Sequence, residues 1–392
     1  MLNPPAPGDE DNIIAALKQS GRVSSLSLTI TSSLLERFSA AEGPFSEFSE
    51  LGELVLMSRD SVRLTLPSVF RWGPRLRQLH LTRVTFSALP HLLYSSRNLE
   101  CLQLHDVLDD WHILPDALAH ALSGMSQLRS LSLHLLSTDH YTGLLPTPWE
   151  RVVLPTLTHF DFQGTSQYLD DLAARIDAHR LEDFGITLYE QPMASQLSKF
   201  VDRIMHKSYS RADIQFSGPA VCISFIQPAS TATYLKLRVC CQSLDLQLFC
   251  VAQICSRSAF ISGVEDLRIS FASASKRSDR FNDSGFLKLI GPFKGVKWLH
   301  VAGNLSVLII HVLHLSEMRQ ETVLPAMHKL FVRKHGQCYA PLREAVESLL
   351  VFRRLSSSRL EVEYERPLIY DAGTTNAECQ RYALTCLSRN LF

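Results

Sequence analysis

One pattern, apolar at its first, fourth and sixth positions, returns along almost the whole chain and constrains the fold more than any other feature. It reads Leu51-x-x-Leu54-x-Leu56, Leu76-x-x-Leu79-x-Leu81, Leu99-x-x-Leu102-x-Leu104 and Leu128-x-x-Leu131-x-Leu133, then Leu157-x-x-Phe160-x-Phe162 and Leu181-x-x-Phe184-x-Ile186. Val23-x-x-Leu26-x-Leu28 precedes these copies. Val264-x-x-Leu267-x-Ile269, Val296-x-x-Leu299-x-Val301 and Met327-x-x-Leu330-x-Val332 follow, and weaker copies end in Ile214-x-Phe216, Leu235-x-Leu237 and Leu360-x-Val362. With the fourth position as marker, 13 copies run from residue 26 to residue 360, in steps of 21 to 32 residues and a mean of about 28. Side chains alternate along a strand, so the fourth and sixth positions share one face. The intervening segments Ser33–Phe38, Leu114–Leu122, Tyr168–Ile176, Ser195–Met205, Leu246–Cys255 and Leu342–Leu355 carry apolar residues at helical spacing. A strand–helix unit of this size cannot bury its apolar face alone, whereas stacked neighbours bury a continuous core.

The period lies within or just beyond the roughly 20–29 residues of leucine-rich repeats. The expected fold class is therefore α/β: a leucine-rich-repeat solenoid, or horseshoe, with a parallel concave sheet, convex helices and about 13 irregular repeats over residues 11–364. The alternative is a βαβ sheet domain with apolar strands. The asparagine or cysteine that usually closes the motif is missing except at Asn304, which makes the coil after each strand irregular. Residues 1–10 read as a disordered lead, and residues 365–392 as an off-pattern tail. Ser137–Arg151 and Ala272–Asp283 read as loop inserts, the second of them polar and charged.

With 46% hydrophobic residues the chain has ample material for a core. Lysine plus arginine equals aspartate plus glutamate at 39 each, so charge balance gives no reason to expect nucleic acid or an anionic membrane as partner. The longest apolar run, Val307–Leu315, is about half a membrane span, contains two histidines and reads as a buried helix. The first residues have neither a basic nor an apolar leader segment, so an intracellular protein, cytoplasmic or nuclear, is expected. The 9 cysteines are odd in number and form no CxxC pair, which favours reduced, packed thiols over a zinc site.

No GxSxG, HExxH, GxGxxG or GxxxxGK motif occurs. No catalytic residue, cofactor or metal is expected, and the chain reads as a non-enzyme. Asp109-Asp110-Trp111-His112 reads as a solvated turn, and Asp170-Asp171 as acids placed near the positive end of a helix dipole. The third, fifth and seventh motif positions face away from the core. In the first eight copies they hold Glu53, Asp161, Asp183 and Asp213 with no lysine or arginine. In the last five they hold Lys236, Arg238, Arg268, Lys329, Arg333 and Arg359 against Asp266, Glu361 and Glu363. His80, His105, His134, His159 and His300 share this face, where a polar surface role is the plainer reading beside pH sensing or metal binding. The sharper expectation is a protein partner, gripped through an acidic or phosphorylated segment by Lys236, Arg238, Arg268, Arg333 and Arg359, with Trp298 or Tyr234 as anchor. A solvated strand face with incidental charge is the alternative.

The stretches Asp11–Ala16, Thr31–Leu35, Leu64–Pro74, Leu122–Leu133, Leu154–Ala178 and Gly263–Ile269 resemble the repeat half of the fungal F-box/leucine-rich-repeat-like proteins of mushroom-forming species. The resemblance covers roughly residues 10–364. It implies a non-enzymatic binding scaffold, the substrate-recognition half of an F-box type ubiquitin-ligase receptor, whose F-box docks on the Skp adaptor of a cullin ligase. Nothing before Asp11 spans three helices, so the F-box is read as absent. Skp and cullin are then partners only if an F-box is supplied upstream, and the alternative is a repeat-only interaction protein or truncated product without a ubiquitin role.

Overall fold

The alternation written into the repeats is carried strand after strand in the computed structural model. Residues 9–40, 48–60, 64–66, 74–86, 89–106, 114–135, 151–188, 201, 203, 209–218, 220–227, 234–240, 243–257, 259–271, 283–303, 306–319, 323–333, 339–355 and 360–365 are described. They make a mixed α/β chain whose sheet strands are mostly parallel. It divides into two units, Met1–His206 with Ala232–Leu237, and Lys207–Thr231 with Arg238–Phe392.

The first unit runs α1 (Asp9–Leu17), β1 (Ser25–Ile30), α2 (Ser32–Ala40), β2 (Glu53–Ser58), β3 (Leu64–Leu66), β4 (Gln78–Thr82), β5 (Val84–Phe86), α3 (Leu89–Ser95), β6 (Cys101–His105), α4 (Pro115–Ser123), β7 (Ser130–His134), β8 (Val152–Val153), β9 (His159–Gly164), α5 (Ser166–Arg175), β10 (Ile176–Asp177) and β11 (Asp183–Leu188). Its sheet has the order β1-β2-β4-β6-β7-β9-β11, parallel at every step. Leu26, Leu54, Leu79, Leu102, Leu131, Phe160 and Phe184 stand opposite one another in register. All seven are buried, and each such side chain contributes about 1.5–3 kcal/mol by leaving water. Two short parallel ladders, β3–β5 and β8–β10, pair separately.

A shared backbone contact fixes the register. The Gly52 carbonyl accepts from Arg77 N–H at 2.7 Å and Gln78 N–H at 3.0 Å. Arg77, Glu100, Arg129 and Thr158 repeat this forked contact with the residue before the next strand and the first residue of that strand. Between β1 and β2 the helix α2 is capped locally. Thr31 Oγ1 accepts from Leu34 N–H at 3.3 Å, and Asp60 Oδ2 accepts from Ser32 N–H at 2.8 Å, satisfying two donors that the start of α2 leaves open. Pro115 opens α4, where a missing N–H costs nothing.

The second unit holds β12 (Arg211–Ser217), β13 (Ala220–Ile226), β14 (Tyr234–Cys240, from Arg238 onward), α6 (Leu244–Arg257), β15 (Asp266–Phe271), α7 (Asp283–Ile290), β16 (Trp298–Ala302), α8 (Ser306–Met318), β17 (Lys329–Arg333), α9 (Tyr339–Leu355) and β18 (Glu361–Glu365). β12-β15-β16-β17-β18 are parallel neighbours, and the forked contact recurs at Ser210, Glu265 and Lys297.

Several sequence expectations are corrected here. β13 pairs antiparallel with β12, so the sheet is not parallel throughout. The pair is a hairpin whose second strand, AVCISFI, is buried at alternate positions without carrying the leucine motif. Two weak copies are also shifted by two residues. Ala212, not Ile214, stands opposite Leu267, and Val362, not Leu360, stands opposite Leu330. A shift of two preserves which side chains face the core, so the apolar pattern alone could not separate the two registers. Asp170 and Asp171 lie mid-helix and buried in α5 rather than at its start, and Asp171 faces Arg175 at 3.9 Å. Val307–Leu315 lies within α8 as expected, and no described helix is long and apolar enough to cross a membrane. Cys250 and Cys255 are packed on α6, where burial pushes the Cys255 thiol far up. The segments 107–113 and 195–200, together with 137–150 and 272–282 within the two inserts, lie outside the described residues.

Candidate protein-binding face

Strand alternation leaves every second side chain of the sheets on the face opposite the core, and the parallel register turns those side chains into rows. In the first unit one row is Thr29, Met57, Thr82, His105, His134, Gln163 and Thr187. A second is Ser27, Val55, His80, Gln103, Ser132, Asp161 and Gly185.

The histidines meet in these rows. The His105 and His134 rings stack with centroids 3.8 Å apart and planes 3° from parallel. His134 Nε2 lies 2.6 Å from Asp161 Oδ2, and Ser132 Oγ lies 3.0 Å from His105 Nε2 and 3.3 Å from His134 Nε2. Burial, aided by the adjacent His134, lowers His105 to about 4, and burial likewise lowers His80. A serine, a histidine and an aspartate thus converge, but not as a proton relay. A relay needs the carboxylate on one ring nitrogen and the hydroxyl on the other. Here Asp161 and Ser132 approach the same Nε2 of His134, and a proton donated to Asp161 leaves that nitrogen unable to accept from Ser132. His105, held near 4, is a weak base.

Beside this cluster lies a cleft of about 210 Å³ over Leu131 and Phe160, walled by Ser130, Ser132, His159, Asp161, Asp183 and Lys236. Gly185 belongs to its lining, and a Cβ there would stand 2.5 Å from Asp161 Oδ1. Burial pushes the Asp183 carboxyl up, with Asp161 adding to the effect and His159 and Lys236 opposing it.

In the second unit Asp266, Arg268, His300, Phe331, Arg333, Glu363 and Glu365 share one face of β15–β18. They form a linked set of charges. Arg268 Nη2 donates to Asp266 at 3.0 Å, and Arg268 Nε lies 3.9 Å from Asp213, which also takes Arg211 at 3.2 Å. His300 reaches Asp266 at 3.3 Å and Glu365 at 3.0 Å, and Arg333 Nη2 donates to Glu365 at 3.0 Å. Lys329 pairs with Glu363 at 2.8 Å and lies 4.7 Å from the Phe331 ring centre. The His300 and Phe331 rings stack at 4.0 Å. Burial raises the Glu365 carboxyl, but hydrogen bonds from His300 and Arg333 outweigh it and hold the group below the usual carboxylate range. Burial likewise lowers Arg268, and its hydrogen bonds to Asp266 outweigh that and raise it.

The residues expected to grip a partner therefore fall in different surroundings. Arg268, Trp298 and Arg333 lie on three adjacent strands of the second unit, with Trp298 37% exposed. Arg268 and Arg333 already hold carboxylates. Lys236 belongs to the first unit, beside Asp183, and Arg238 to the second. Arg359 lies outside the described residues, and so does the Tyr234 side chain. Glu365 and Arg211 were missed from sequence, although Arg211-x-Asp213 and Asp266-x-Arg268 are same-face pairs visible in the alternation. Among the described residues no group of three or more histidine, cysteine, aspartate or glutamate side chains is arranged to hold a metal ion.

Searches of family models, curated proteins and solved structures find no match to this chain.

Proposed function

We propose that this chain is a leucine-rich-repeat solenoid acting as a non-enzymatic scaffold that binds another protein across the open face of its parallel strands. The observation that carries the reading is the row structure of that face. In each unit consecutive strands present side chains in register, at a spacing of about 4.8 Å, which suits an extended partner segment better than a small molecule. The forked backbone contact that starts strand after strand supports a true repeat. Trp298 and the His300–Phe331 stack offer the aromatic contact that dominates many protein interfaces. An acidic or phosphorylated segment would compete with Asp266, Asp213 and Glu365 for Arg268 and Arg333, which reduces what each arginine can contribute. Within this reading the chain serves as the substrate-holding half of an F-box type ubiquitin-ligase receptor. That part rests on the sequence resemblance alone, and a repeat-only interaction protein is the alternative.

The test is capture by the full chain, immobilised and compared with face variants. Trp298→Ala with Phe331→Ala should release captured protein, whereas Phe249→Ala on α6 should retain it. Equal capture by all three would refute the face as the binding surface. If Arg238→Glu with Arg268→Glu leaves capture unchanged, the acidic-segment grip is wrong. Co-purification with a recombinant Skp adaptor tests the ligase role directly, and no binding means this chain alone does not join a ligase.

A further inference from the structure

We propose that the cleft between β7, β9 and β11 is a socket for one cationic side chain, an arginine or a lysine, projecting from the protein segment on the face; this rests on the scaffold reading above. Size sets the class of ligand. About 210 Å³ is below the roughly 300–1,000 Å³ of small-molecule and cofactor sites, and it suits a single side chain. Charge sets the sign. Asp161 and Asp183 bring two carboxylates to the cleft and Lys236 brings one ammonium, so one further positive charge balances the three. No lysine or arginine occupies the core-averted positions of β1, β2, β4, β6, β7, β9 or β11, so no residue of those rows supplies it.

Two local features leave the site ready. The Asp183 carboxylate takes no side-chain hydrogen bond and no ion pair within 4 Å among the described residues, although its backbone N–H donates to Thr158. A guanidinium or ammonium from outside would give the carboxylate a charge-assisted hydrogen bond. Gly185 keeps the wall open. Any side chain at that position would meet Asp161 Oδ1 at 2.5 Å and push the carboxylate away, whereas glycine lets Asp161 lie against β11 with Oδ2 on His134. Ser130 and Ser132 add hydroxyls to the lining. Arginine, with its planar fork, is able to meet both carboxylates at once.

The experiment titrates N-acetyl-arginine methylamide, the lysine analogue and the glutamate analogue into the full isotope-labelled chain, and follows the backbone amides of Gly185 and Ser132 by NMR. The arginine and lysine probes should shift both amides saturably and the glutamate probe should not. Asp183→Asn, nearly the same shape, should weaken the arginine probe about tenfold, and Lys236→Gln should tighten it several-fold. Equal response to the glutamate probe, an unchanged affinity in Asp183→Asn, or weakening in Lys236→Gln overturns the socket. A chain that refuses the cations yet still loses its captured protein on Trp298→Ala with Phe331→Ala overturns the socket alone. Capture indifferent to the face variants overturns the scaffold reading whatever the probes do.

Discussion

Arg353 is the most deeply buried charged side chain among the described residues of the second unit, and replacing it tests the packing of α8 against α9. Its side chain is 3% exposed and its partner Glu317 is 10% exposed. Nε donates to Glu317 Oε1 at 2.7 Å, Nη1 to the Met327 carbonyl at 2.7 Å and Nη2 to the Leu324 carbonyl at 3.4 Å. One guanidinium thereby neutralises a buried carboxylate and ties α9 to the segment entering β17. Arg353→Met keeps much of the stem but strands Glu317. Breaking a buried pair by removing one partner costs about 3–5 kcal/mol, a large share of the roughly 5–15 kcal/mol that holds a domain together. Arg353→Met with Glu317→Leu removes both charges, and exchanging a whole buried pair for apolar groups is often neutral. The two carbonyls still lose their donor, so the double variant should recover most of the loss and remain about 1–2 kcal/mol below the parent. Urea unfolding followed by circular dichroism measures all three. Arg353→Met losing less than about 1 kcal/mol, or a double variant no more stable than Arg353→Met alone, would refute this account of the pair.

Three further predictions concern the first unit. Leu131→Asp places an unpaired charge between Leu102 and Phe160 and should cost about 4 kcal/mol or more; an unchanged melting temperature would contradict the strand assignment. Gly185→Ala should push Asp161 off His134 at a cost of about 1–3 kcal/mol, and a His134 ring-nitrogen shift that stays put in NMR would show the close approach to be wrong. His105 should make the fold acid-sensitive. Its pKa falls from 6.5 to about 4 on folding, so between these values the unfolded chain binds the proton first and stability drops as pH falls through the window. The shift corresponds to about 3 kcal/mol at most, and to about 1–2 kcal/mol after discounting for partial exposure to solvent. His105→Gln should flatten the stability–pH slope there, and an identical slope would remove His105 as its source.

What the sequence disclosed follows from what periodicity can encode. Leucines at 54, 79, 102 and 131 define strands because alternation and a constant step leave few other ways to bury them. The β12–β13 hairpin was hidden because AVCISFI is apolar at most positions and carries no leucine marker. The partnership of Arg333 with Glu365 was hidden by the two-residue shift at β18, where Leu360 and Val362 imitate the motif better than Val362 and Tyr364 do. The meeting of Ser132, His134 and Asp161 depended on register across two strand pairs, and Gly185 mattered only through the side chain it allows beside it. Pattern gives the face a residue occupies; its neighbour on the next strand requires the register.

The stacked ladder in the first unit is tested most directly by a distance across it in solution. Ser25 and His159 both face away from the core and are five register steps apart, through Glu53, Gln78, Cys101 and Ser130. At about 4.8 Å per step their backbones should be about 24 Å apart. Spin labels attached at these two positions through orthogonal chemistry, leaving the native cysteines in place, should give one narrow distance distribution centred near that value. A distribution centred well beyond about 35 Å, or split into separate populations, would mean that these strands do not lie side by side.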